Sequence, residues 1–121
     1  MAPILYIAGP MSGLPDSNYP AFFEAEEKLR GAGYDRILNP ARTLCSSGSS
    51  WQEYMRAALA MVVQADGLAM LPGSHNSPGA RLERTVADHL EIAVQPLEEW
   101  LRTPVKHTDP IVKPTGGVII R

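Results

Sequence analysis

Apolar positions along this chain follow two alternating rhythms. Ile4-Leu5-Tyr6-Ile7-Ala8 is a short unbroken apolar run closed by Gly9-Pro10, the form of a strand buried on both faces of a sheet. A loop rich in Gly, Pro, Ser, Asp and Asn runs to Asn18. Pro20 then suits the first turn of a helix on which Phe22, Ala25 and Leu29 recur at helical spacing. That spacing puts Glu24, Glu26, Glu27, Lys28 and Arg30 on the wet side, and Gly31 and Gly33 end the helix. Tyr34 to Leu38, closed by Asn39-Pro40, predicts a second, shorter strand.

Ser46-Ser47-Gly48-Ser49-Ser50 reads as a loop whose last serine caps a helix running to about Ala65, with Trp51, Met55, Leu59 and Val62 as its buried stripe. Gly67 to Leu71, ending at Pro72-Gly73, predicts a third buried strand. Ser77 caps a further helix that begins at Pro78 and turns Leu82, Val86 and Leu90 inward. Ile92 to Val94 predicts a fourth strand, and Pro96 opens a short helix through Leu101. Strands alternating with helices imply right-handed crossovers and an open parallel α/β sheet covered on both faces. The pattern spans residues 1–102 as one domain. It fails over 103–121, a proline-rich C-terminal arm in which Val118 to Ile120 would supply a fifth strand.

The 121 residues suffice for one core and exclude a second catalytic domain. Eleven Lys and Arg against thirteen Asp and Glu give a net charge of -2, which provides no positive field for a nucleic acid polymer. No apolar run approaches the roughly 18 residues of a membrane span. The lone Cys45 has no partner for an internal disulfide and reads as an incidental loop thiol. With no basic start leading into an apolar stretch and a cleavage site, the expected location is a reducing cytoplasm.

Ligands of open parallel sheets bind beyond the carboxyl ends of the strands, here the segments 9–18, 39–50 and 72–79. Gly9, Pro10, Met11, Ser12 and Gly13 allow close approach to the backbone, although they match neither a phosphate loop nor a dinucleotide glycine pattern. They fit equally a turn that needs glycine. Ser77-Pro78-Gly79-Ala80 sets a hydroxyl and backbone N–H groups at a helix N-terminus, a place that stabilises a phosphate. Glu83 stacks above Gly79 and Ala80, so it is expected to be partly exposed and open to the cleft. A carboxylate so placed can attack an electron-poor sugar carbon or hold an oxocarbenium-like charge. It can also be an ordinary glutamate behind a capping serine. Arg84 and Asp88 form an i,i+4 pair needing no ligand, and Asp66 reads as a turn or cap residue at the amino end of the sheet. His75, His89 and His107 lack partners at ligand spacing, so no metal site is expected.

Tyr6-Ile7-Ala8-Gly9-Pro10-Met11-Ser12-Gly13, Asn39-Pro40, Trp51 with Tyr54-Met55-Arg56, Ala65-Asp66, Leu71-Pro72-Gly73 and Ser77 through Glu83 closely resemble DUF4406, a phage and prophage family of unknown function. That family is similar to a branch of the nucleoside 2-deoxyribosyltransferase superfamily. The resemblance covers about residues 3–100 and implies a flavodoxin-like fold. It implies that Glu83 forms a covalent deoxyribosyl intermediate, that Tyr6 touches the carboxylate or the sugar, and that Ser77 helps hold a 5′-phosphate. One position departs: where the superfamily commonly carries an aspartate, eight residues before Asp66, this chain has Ala58.

The resulting expectation is an N-glycosidase or deoxyribosyltransferase acting on a nucleoside or its 5′-monophosphate. Glu83 is its nucleophile, Tyr6 its orienting group, Ser77 and Gly79 the phosphate cradle, and Gly9 to Gly13 the floor. No metal or organic cofactor is needed, because carboxylate chemistry alone cleaves a glycosyl bond. The alternative is a catalytically silent nucleotide-binding protein of the same fold; a weaker third reading is a structural or interaction module. The apolar end of the arm, together with the superfamily resemblance, implies a homo-oligomer built on a two-fold axis.

Overall fold

A computed structural model describes residues 2–43 and 50–103. Cys45, the serines at 46–49 and residues 104–121 of the arm, His107 included, lie outside them. Four strands, β1 (Ile4–Ala8), β2 (Arg36–Leu38), β3 (Gly67–Met70) and β4 (Ala93–Pro96), form one sheet in the order β2-β1-β3-β4. Every pairing is parallel, with Tyr6 opposite both Leu38 and Leu68, and Gly67 opposite Ala93. The helices are α1 (Tyr19–Gly31), α2 (Pro40–Thr43), α3 (Trp51–Val62), α4 (Pro78–His89) and α5 (Leu97–Arg102). The result is an α/β, flavodoxin-like fold.

The period of two along the central strands divides the core. Leu5, Ile7, Ala69 and Leu71 pack with Phe22, Ala25 and Leu29 of α1 and Leu97 and Trp100 of α5. Tyr6, Ala8 and Leu68 face the other way, onto Ala58 and Val62 of α3 and Ala87 of α4. Each face of the sheet thus has its own apolar layer, as a parallel sheet requires. Asp66 fastens the amino end: its carboxylate accepts from the Ile4 N–H at 2.8 Å, and its own N–H donates to the Ile4 carbonyl at 2.7 Å.

Three expectations from the pattern are corrected. Glu26 is not on the wet side; it is 5% exposed. Its carboxylate accepts from Asn39 Nδ2 at 3.0 Å, Arg30 Nε at 2.9 Å and Arg42 Nε at 3.2 Å. Burial acts to raise its pKa, but these three donors prevail and lower it. Trp51 does not extend the buried stripe of α3; it stands 46% exposed, while Ala58 takes a buried place beside Met55 and Val62. On α4 the inward residues are Ala80, Glu83 and Ala87, and Leu90 is 52% exposed. The smallest residues face in because α4 lies close to the sheet and to α3, whereas an apolarity pattern selects the largest.

Several boundaries also move. The third helix ends at Val62, not near Ala65, and the fourth strand runs Ala93–Pro96, with Pro96 opposite Met70. Proline is tolerated there, at the last residue of an outer strand.

Candidate functional site

From β1 the chain crosses to β2 through α1 on one face, then passes back over β1 to β3 with α3 on the opposite face. The loops leaving β1 and β3 therefore diverge, and an open sheet has its crevice at such a point. Here it is a cleft of about 710 Å3. Tyr6, Ile7 and Gly9 line it from β1 and the residue that follows; Ser77 to Ala80 and Glu83 line it from α4. Ser50, Trp51, Tyr54 and Met55 contribute the α3 side, and Tyr19, Phe22 and Pro40 the α1 side. Met11, Ser12 and Ser17 reach it from the loop after β1.

Glu83 sits in this lining, yet only 4% of it is exposed. Strand alternation sends Tyr6 toward α4, helical periodicity sends Glu83 toward β1, and the Tyr6 hydroxyl donates to Glu83 Oε2 at 2.5 Å. The expected partial exposure is thus corrected: Glu83 lies on the buried face of α4 with Ala80 and Ala87, and Tyr6 meets its carboxyl from the sheet. Burial pushes Glu83 from its ordinary 4.5 up to about 7, against the pull of the Tyr6 bond, which lowers it. Tyr6 is raised well above the ordinary phenol range, by burial first, then by the charge of Glu83 and the bond to it, and lastly by Tyr54. The proton between the two therefore stays on Tyr6, and Glu83 is the group that changes charge near neutrality.

At the start of α4 the Ser77 hydroxyl oxygen accepts from the Ala80 N–H at 3.2 Å, and Pro78 follows at the first helical position. That bond uses an acceptor lone pair and leaves the hydroxyl proton available to an anion. Gly79 keeps the helix tight against α3, since a Cβ there would lie 3.2 Å from Met55 Sδ. Ser74 anchors the preceding turn through its hydroxyl, which donates to the Leu71 carbonyl at 2.5 Å.

Gly9 has a steric reason to be glycine: a Cβ would lie 2.9 Å from Leu71 Cβ. Met11 and Ser12 line the cleft, whereas Pro10 and Gly13 stand outside its lining. The Pro10 carbonyl instead accepts from Asn18 Nδ2 at 3.0 Å, and Gly13 provides a positive φ of 80° in an exposed turn. Seven of the nine residues expected at the site, Tyr6, Gly9, Met11, Ser12, Ser77, Gly79 and Glu83, therefore meet in one cleft.

The segment 39–50 contains Pro40 of the lining, but the pattern did not single out Tyr54 or Tyr19 for a site, and it gave Met55 a core role only. Their signal was positional: a helix starting at the carboxyl end of a parallel sheet offers its first turn to the crevice. Ala58 is fully buried in the apolar layer beneath α3. Arg84 pairs with Asp88 at 3.7 Å, as the spacing predicts. Among the described residues no group of three or more His, Cys, Asp or Glu is placed to hold a metal ion. No helix among them is long and apolar enough to cross a membrane.

Comparison with curated proteins and with solved structures gives no match. Residues 3–95 match the family model of DUF4406, described as a domain of unknown function, and the chain, matched over more than half its length, belongs to that family.

Proposed function

We propose that this protein cleaves or transfers the N-glycosidic bond of a nucleoside or nucleoside 5′-monophosphate, with Glu83 as nucleophile. The observation that carries the reading is the buried Tyr6–Glu83 pair on the cleft wall, 2.5 Å apart, beside the N-terminus of α4. A carboxylate whose pKa stands at about 7 is a stronger base and nucleophile than an ordinary one and is still substantially ionised at neutral pH. Tyr6 fixes its position and leaves the second carboxylate oxygen for the anomeric carbon. Ser77 and the first turn of α4 supply donors for a 5′-phosphate. A retaining route through a glycosyl ester, completed by water or by a second base, needs no cofactor.

A second reading has its own support. Glu83 is the one carboxylate among the described residues that line the cleft, and a protein that binds nucleotides without acting on them needs no more. One experiment separates the two. A panel of nucleosides and their 5′-monophosphates is incubated with the protein and with Glu83→Ala, free base is measured by chromatography, and binding is measured in parallel. Release by the protein and none by the variant supports the enzyme. Binding without release selects the silent binder, and release by both overturns Glu83 as nucleophile. We also propose a homo-oligomer, which light scattering would exclude by returning the 13.2 kDa mass of one chain.

A further inference from the structure

We propose that Tyr54 is the general acid of this site, giving its phenolic proton to the nitrogen base as the base departs; this rests on the glycosidic reading above. When Glu83 attacks the anomeric carbon, the electron pair of the C–N bond passes to the base, which leaves as an anion unless a donor protonates it. Among the described residues the lining holds no Lys, Arg or His, and the proton donors it offers are hydroxyl and N–H groups.

Tyr6 is committed to Glu83. Ser12, Ser17, Ser50 and Ser77 carry aliphatic hydroxyls, and Trp51 an indole N–H; both are far weaker acids than a phenol. That leaves Tyr19 on the α1 side and Tyr54 on the α3 side. Of the two, Tyr54 is bonded to Met11, another residue of the lining, and it is the one that joins Glu83 in acting on Tyr6.

Its position is built by its own helix. Ser50 and Glu53 cap α3 reciprocally, with both bonds at 3.0 Å, and the Tyr54 N–H donates to the Ser50 carbonyl at 3.0 Å. The phenol is half-buried, and its hydroxyl donates to Met11 Sδ at 3.1 Å across the cleft. A thioether is a weak acceptor, so a nitrogen or carbonyl oxygen of a bound base replaces it with a stronger bond. The bond to Met11 turns the hydroxyl toward the cleft.

The proton balance closes within the site. Glu83 Oε bonds to the anomeric carbon, the C–N bond breaks, and the Tyr54 proton goes to the base nitrogen. In the second half, water attacks the anomeric carbon, the ester oxygen leaves as the Glu83 carboxylate, and the proton lost by water returns to the Tyr54 phenolate.

The test compares the protein with Tyr54→Phe on two substrates: a purine 2′-deoxynucleoside 5′-monophosphate, and its 7-methylpurine counterpart, whose base departs neutral without a proton. The variant should lose on the order of 100-fold in base release from the first and change by less than about threefold on the second. The second substrate also reports whether the variant is folded, which a purely structural role for the ring would disturb. Equal losses on both, or no loss on either, overturn Tyr54 as the acid while leaving Glu83 in place. No release of base by the unaltered protein from these two or from any member of the panel above overturns the glycosidic reading and this assignment with it.

Discussion

At Glu83, folding and chemistry pull in opposite directions. The unfolded chain offers a carboxyl near its ordinary 4.5, and the folded one about 7, so the native state binds the proton more tightly. Stability from that proton is complete below about pH 4.5 and is lost as pH rises through 7. At about 1.4 kcal/mol per tenfold change in affinity, the loss is roughly 3 kcal/mol. Glu83→Gln, neutral at every pH and able to accept from Tyr6, should therefore be more stable than the parent by about 2–3 kcal/mol at pH 8–9 and equal to it near pH 4. Urea titrations at the two pH values check this, and a pH-independent difference would contradict it. The identity of Glu83 as the candidate was legible in the segment from Ser77 to Glu83. Its burial was not, because the group that covers it, Tyr6, lies 77 positions away and meets it only through the sheet.

At the scale of the element, the first turn of α4 joins an observed cap to a proposed ligand contact. Ser77 caps the helix and, in the function proposed above, meets the 5′-phosphate. Ser77→Ala should cost about 1 kcal/mol of stability through the lost cap. It should also weaken 5′-monophosphates by roughly tenfold more than the matching nucleosides, since a hydrogen bond to a charged group is worth about 1.5–3 kcal/mol. Calorimetric titration of both ligand types measures the difference, and equal losses would reduce Ser77 to a cap alone. The start of this helix was legible because serine followed by proline is a local signal. Its inner face was not: Leu82, Val86 and Leu90 were expected inside, yet Ala80, Glu83 and Ala87 are the buried residues. Close approach to neighbouring elements favours small side chains, and that distance is set by tertiary packing. Glu26 shows the same limit, its burial depending on Asn39 and Arg42, which arrive from other elements.

Across the whole molecule, the alternation of strands and helices made the parallel sheet legible, since each element carried its own period and its own stop signals. What stays outside that logic is the arm, where no period exists to read. The two sides of the sheet are also separable, the Tyr6–Glu83 pair of the cleft lying on the α3–α4 side and α5 on the other. Trp100 of α5 donates its indole N–H to the Leu68 carbonyl at 2.8 Å and meets Tyr34 edge-on, ring centres 6.1 Å apart. A Cβ on Gly67 would fall 2.5 Å from Trp100 Cζ2. Gly67→Ala should therefore cost about 1–3 kcal/mol by overpacking, a fall of roughly 5–15 °C in the thermal midpoint. Its effect on ligand binding below that midpoint should be small. Differential scanning calorimetry with a parallel binding measurement would test the separation.

The strand order has a further consequence for how the chain comes into being. β1 occupies a central place in the sheet, between β2 and β3, yet it is made first. Its partner Arg36–Leu38 offers three paired positions, and its other side waits for Gly67–Met70. Until that segment leaves the ribosome, Ile4–Ala8 presents an apolar strand with one unpaired edge, the kind of surface that recruits chaperones or other nascent chains. The segment that pairs that edge, Gly67–Met70, lies a few residues ahead of Ser77 to Glu83, so the strand is sheltered just before the α4 wall of the cleft is made.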